Sequence, residues 1–180
     1  MKIALVLIVL LIIFSIIQYN AIVQAKVRVD SAWSQIEVQL QRRMDLIGNL
    51  VETVKGYANH EKSTLEAVVN ARAKAVSSSS PAESATSQNV LTQALGKLLI
   101  ISEAYPDLKA NENFLSLQAE LSNTEGRVAY SRSYYNESVQ IYNTRISSFP
   151  SNIYAKMQNA TIKEFFITDE AAYVAPKAQF

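Results

Sequence analysis

Ile3-Ala4-Leu5-Val6-Leu7-Ile8-Val9-Leu10-Leu11-Ile12-Ile13-Phe14-Ser15-Ile16-Ile17 is a run without a charge, a proline or a glycine, preceded only by Met1 and Lys2. At 1.5 Å per residue it spans about 23 Å as a helix, and about 31 Å if Gln18, Tyr19, Asn20 and Ala21-Ile22-Val23 continue it, close to the thickness of a hydrocarbon core. Tyr19 falls where an amphipathic ring favours the headgroup region. The rest of the chain is polar enough for water. The expected organisation is a transmembrane anchor over residues 1–25, a helical-bundle domain over 26–166 and a C-terminal tail over 167–180.

A cleaved signal peptide is the competing reading, with Val23-Gln24-Ala25 as its small-residue site. Against it, a helical pattern crosses Ala21–Val29 with no turn residue, whereas processing favours extended backbone. The expectation is a retained anchor. Basic residues near the two ends leave orientation open: Lys2 stands on one side, Lys26, Arg28, Arg42 and Arg43 on the other.

Composition excludes several function classes. Seventeen basic and sixteen acidic side chains nearly cancel, so there is no electrostatic footprint for nucleic acid. With no cysteine and one histidine, thiolate metal sites, thiol nucleophiles and most imidazole chemistry are absent. His60-Glu61 begins like a zinc-protease helix, but Thr64 stands where a second histidine is needed. Glu103, Asp107, Glu112, Glu120 and Glu125 have neither histidine nor nucleophile beside them. Neither an enzyme nor a cofactor is expected.

Beyond the anchor, Trp33, Ile36, Leu40, Met44, Ile47, Val51, Val54, Ala58, Leu65 and Val68 recur at steps of three and four over most of their length, the stripe of a bundle helix. With the first proline at Pro81, one helix is expected to run from the membrane to about Val76, about 110 Å if unbroken. Gly48 and Gly56 are expected to bend it. Ser80-Pro81-Ala82-Glu83 predicts a second helix, with Ser80 as its cap and Pro81 in its first turn; Pro106 ends it at Tyr105. A third helix, capped by Asn111 or Asp107, is expected over Glu112–Ser148, and a weaker fourth over Ser151–Phe166. No strand pattern is present. The class is all-α, an N-terminal transmembrane helix continuing into an antiparallel up-and-down bundle.

Ala32-Trp33-Ser34-Gln35-Ile36, Arg42-Arg43-Met44-Asp45-Leu46-Ile47, Asn49 through Tyr57 and Glu103-Ala104-Tyr105-Pro106-Asp107-Leu108-Lys109-Ala110-Asn111 together resemble the bacterial LemA family. Phe114-Leu115, Tyr135-Asn136, Tyr142-Asn143 and Phe149-Pro150 extend the likeness over nearly the whole chain. Gly48 departs from it where members often carry proline, and Gly126 where asparagine is common. The resemblance implies a single-pass protein of the bacterial inner membrane with a helical bundle and no established activity. It also implies a scaffold or interaction role, with a membrane protease or a TPM-domain protein as candidate partners.

Candidate interaction residues are Trp33, Arg42, Arg43, Asp45, Tyr105, Pro106, Asp107, Tyr135, Asn136, Tyr142 and Asn143. Arg42 is spaced to pair with Asp45 along one helix. The arginines read either as a solvated flank or as a grip for a carboxylate or lipid phosphate. Tyr135 and Tyr142, seven apart, share a face, and facing asparagines are expected to satisfy their hydroxyls. A first helix of that length would leave Ile22, Val29, Trp33 and Ile36 wet, so a homo-oligomer is expected. The alternative is a lipid-interacting or membrane-remodelling bundle, with Ser151–Phe166 on the bilayer.

Overall fold

A computed structural model describes residues 2–58 and 60–167; residues 168–180 of the expected tail lie outside them. Among the described residues there are six helices and no strand: α1 Lys2–Lys55, α2 Lys62–Val76, α3 Pro81–Ser102, α4 Pro106–Lys109, α5 Glu112–Ser147 and α6 Ser151–Met157. The chain is all-α. Its described residues divide into two compact units, residues 2–36 with Ser131–Glu164, and Glu37–Tyr130 with residues 165–167.

In the first unit residues 2–14 of α1 are exposed throughout, and burial begins at Ser15 and Gln18. It then recurs at Ile22, Ala25, Val29, Ala32 and Ile36, the three-and-four spacing of one helix face. α5 contributes Tyr135, Val139, Tyr142 and Ile146 to the core of this unit, and α6 contributes Ala155. The two long helices run antiparallel here: Arg145 donates to the Ala21 carbonyl at 3.1 Å, and the Trp33 and Tyr135 rings lie 5.4 Å apart.

The second unit is a four-helix arrangement. Met44, Ile47, Val51 and Val54 of α1 share a core with Leu65 and Val68 of α2, Leu91, Leu95 and Leu98 of α3, and Phe114 and Leu121 of α5. Contacts at one level join Met44 to Arg72, and Arg43 to Gln88 and Glu125. At another they join Glu61 to Tyr105 and Tyr57 to Asn111. The residue numbers fix the order as up, down, up, down.

Two sequence expectations are corrected, the length of the first helix and that of the fourth. The first helix does not run unbroken to Val76: it stops at Lys55, tightens through Gly56 N–H to Thr53 O and Tyr57 N–H to Val54 O, and returns as α2. Gly56 sits at the break, where its low helix propensity costs least, and the return buries Leu65, Val68, Ala71 and Ala75, which a straight rod would leave wet. α1 continues through Gly48, where the Arg72 guanidinium lies against it and Arg72 Nε donates to Met44 O at 2.8 Å. The fourth helix covers only Ser151–Met157. Asn159 takes a left-handed φ of 50° and Ala160 N–H bonds back to Ala155 O, a helix-terminating geometry that asparagine tolerates better than most residues.

The caps follow the sequence more closely. Ser80 accepts from Glu83 N–H at 3.2 Å with Pro81 in the first turn, while Glu83 reaches back to Ser79 rather than Ser80. That contact with Ser79 holds the Glu83 carboxyl below the usual carboxylate range. Asn111, not Asp107, caps α5, accepting from Phe114 N–H at 3.0 Å. α3 ends at Ser102, three residues before the expected Tyr105.

Candidate interaction site

Arg42 and Arg43 are adjacent on α1 and have opposite environments. Arg43 is 2% exposed. Its Nε reaches Glu125 Oε1 at 2.7 Å, its Nη1 donates to Gln88 Oε1, and its Nη2 donates to Thr92 Oγ1 at 2.8 Å. A buried guanidinium is costly unless its forked donors find partners, and here α3 and α5 supply them. Arg43 is therefore not a solvated flank. It is the polar centre that fixes the register of three helices, and its hydrogen-bonding edge is occupied within the chain.

Arg42 does not pair with Asp45. It spans to Glu120 on α5 at 2.7 Å, with both side chains nearly half exposed, and Asp45 accepts from Gln41 instead. The helix offers Asp45 a neighbour at i−4 while leaving Arg42 free to reach across. Tyr105 donates to Glu61 Oε1 at 3.2 Å; burial first, then the Glu61 carboxylate, pushes its phenol up. Pro106 and Asp107 are exposed in the first turn of α4, where proline lacks only a donor the helix start does not use.

In the first unit Tyr135 and Asn143 of the Tyr-Asn seam hold residues 163–164, a segment without helix or strand. Tyr135 OH donates to Glu164 O at 2.8 Å, not to an asparagine. Asn143 Nδ2 donates to Lys163 O and accepts from Lys163 N–H, both at 2.9 Å. A primary amide presents a donor and an acceptor side by side, so it can close a two-bond ring on one residue's backbone. Lys163 Nζ adds a 3.3 Å contact with Asp30. Burial, then Glu164 and Asp30, pushes the Tyr135 phenol up to about 12, and burial raises Tyr142 as well. Tyr142 is buried and Asn136 half-buried on the same helix.

The expectation of a wet apolar stripe is also corrected. Ile22, Val29 and Ile36 are 1%, 2% and 0% exposed, because α5 and α6 cover the side of α1 that a rod-like first helix would have left bare; only Trp33 stays half-buried. Sequence reasoning missed Gln88, Thr92 and the contacts of Ser15 and Gln18. Ser15 Oγ lies 3.0 Å from Tyr154 OH, and Gln18 Oε1 accepts from Ser151 Oγ at 2.9 Å. Polar residues three apart in an apolar run were the available signal of a partnered face.

A surface cavity of about 430 Å³ in the second unit is lined by Lys55, Lys62, Leu65, Glu66, Val69 and Asn70. It holds one carboxylate and two ammonium groups without histidine. Among the described residues no group of three or more metal-ligating side chains converges.

Comparison with known proteins agrees with this architecture. The family model described as the LemA family matches residues 32–180. The magnetosome protein MamQ of Magnetospirillum gryphiswaldense is 26% identical over 84% of this chain, and protein LemA of Metamycoplasma hominis is 27% identical over 76% of it. The chain spans about 65% of the length of MamQ and 63% of that of the mycoplasma protein. On the family match over most of its length, and with an all-α fold headed by a helix apolar enough to cross a membrane, the chain belongs to the LemA family.

Proposed function

We propose that this protein is a non-enzymatic, single-pass protein of the bacterial inner membrane whose helical bundle serves as a scaffold for other membrane proteins or for further copies of itself. The observation that carries this reading is the use of its charged side chains. Arg42, Arg43 and Arg72 each bond another helix, and Tyr135 and Asn143 hold backbone; none of them converges on a reaction centre. Membrane crossing is supported by the exposed apolar run of residues 3–14. Retention of that run is supported by Ser15, Gln18, Ala21, Ile22 and Ala25, which are hydrogen-bonded or buried in the folded unit. A disposable signal would not share a core with the mature domain.

The reading assigns the docking face to α2, supported by the exposure of Val69 (45%), which lines the cleft, and of Val76 (58%) on the same helix. A membrane protease, a TPM-domain protein or a second copy of the chain are the partners to seek there. The test is photo-crosslinking from position 69 or 76 in native membranes. The expected result is discrete protein adducts, or a band at twice the chain mass, that disappear when Val69 and Val76 are both replaced by aspartate. Labelled protein without any protein adduct at either position contradicts the reading.

A further inference from the structure

The foot of the first unit has inverted polarity. α6 and the turn before it turn their polar atoms inward, onto α1: Ser151 bonds Gln18, Tyr154 bonds Ser15, and Gln158 Nε2 donates to Tyr19 O at 3.3 Å. Their apolar side chains point outward. Phe149 is 81% exposed, Ile153 52% and Met157 74%. Ile153 and Met157, four apart on α6, share one helix face, and Phe149 stands exposed in the turn that leads into it. In water this arrangement exposes hydrocarbon; in lipid the outward apolar side chains are favourable, and Ser151, Tyr154 and Gln158 have their hydrogen bonds made to α1.

Length gives an independent reason. Burial of α1 starts at Ser15, so only residues 2–14 are unaccompanied, about 20 Å of helix against a hydrocarbon core of about 30 Å. The missing 10 Å or so corresponds to six or seven further residues, to about Ala21. That is the stretch of α1 against which α6 is bonded. A helix crossing the bilayer therefore carries α6 down with it. Charge agrees: residues 1–29 and 138–162 contain Lys2, Lys26, Arg28, Arg145 and Lys156 but no aspartate or glutamate. Lys156, exposed on α6, has a stem long enough to lift its ammonium to the phosphates.

We propose that residues 149–157 form a shallow bilayer-insertion site, with Phe149, Ile153 and Met157 among the acyl chains of the leaflet next to the bundle. The site rests on the reading of α1 as membrane-crossing, and makes the bilayer contact of this protein two-part: one spanning helix and one buttress beside it. Its ligand is the acyl–headgroup boundary of a phospholipid leaflet.

The chain has no cysteine, so single replacements give unique labelling positions in the full-length protein. Leu10→Cys, Ile153→Cys, Met157→Cys and Val69→Cys would each carry an environment-sensitive fluorophore in vesicles of phosphatidylethanolamine and phosphatidylglycerol. Quenching is then read with lipids brominated at shallow or deep acyl positions. The expected result is deep-lipid quenching at 10, comparable loss from shallow-brominated lipid at 153 and 157, and none at 69. Quenching at 10 without quenching at 153 and 157 overturns the insertion site while leaving the spanning helix intact, the bilayer having thinned around a short segment. Absence of quenching at 10 overturns the spanning helix, and the insertion site with it. Ile153→Asp with Met157→Asp should abolish the quenching of a label at Phe149→Cys without altering that at Leu10→Cys; unchanged quenching at 149 also counts against the site.

Discussion

The two units are built from parts of the same two long helices and are held in different ways. The second unit, Glu37–Tyr130 with residues 165–167, has a contiguous hydrocarbon core with one buried charge, Arg43, at its polar centre. The first, residues 2–36 with Ser131–Glu164, has few large aliphatic core residues and relies on Tyr135 and Asn143 gripping the backbone of residues 163–164. A buried charge specifies register because any slip strands it without partners. A backbone clamp specifies only where a segment lies, since it reads amide groups common to all residues. The difference suits their surroundings: the unit with outward apolar side chains at its foot needs its hydrogen bonds inside.

The largest effect is expected in the second unit. Arg43→Met removes the donors that satisfy Gln88, Thr92 and Glu125 and should cost about 3 kcal/mol, at the low end for a buried pair because Glu125 is partly exposed and can rehydrate. Denaturant unfolding of the full chain in detergent, followed by amide exchange at residues 88–98, would measure it. A change below about 1 kcal/mol would mean the guanidinium is not the register centre.

Next comes the clamp. Asn143→Leu loses both bonds to Lys163 and should cost about 1–2 kcal/mol. Amide exchange at Lys163 should accelerate while that at Leu95 in the second unit is unchanged. Tyr135→Phe removes one hydroxyl bond, about 1 kcal/mol at neutral pH. It also alters the alkaline limb. The fold favours the neutral phenol of Tyr135, raised from 10.0 to about 12. The unfolded chain loses that proton first, so the contribution is whole below pH 10 and is lost as pH rises through 10 to about 12. Melting from pH 9 to 12 should therefore fall less steeply for Tyr135→Phe than for the parent. The smallest effect belongs to Arg42→Ala, whose pair with Glu120 is half exposed and contributes no more than about 0.5 kcal/mol. Two adjacent arginines on one helix should differ severalfold in cost.

Much of this was legible in the sequence, and the failures have physical causes. The helical class, the Ser80 cap and the Asn111 cap depend on local chemistry and were readable. The turn after Lys55 was not, because the apolar stripe of Val54, Ala58 and Leu65 looks alike whether a helix runs on or folds back upon itself. For Arg43 the sequence leaves a solvated flank and a carboxylate grip both open, because its partners lie 45 and 82 residues away. The Tyr-Asn seam was readable as a seam; its partner was not, since the segment at 163–164 has no periodicity to announce it. The Arg72 side chain resting on Gly48 belongs to tertiary packing that the sequence does not announce.

The central claim is that the apolar N-terminal helix is a working part of the folded protein, sharing the core of the first unit through Ile22 and Ala25. Intact mass of the protein purified from its native membranes tests this most directly. A chain that still carries residues 1–25 is expected, and it should resist extraction by alkaline carbonate. A mature chain beginning at Lys26, released into the soluble fraction with Ser151 and Tyr154 deprived of Gln18 and Ser15, would contradict it.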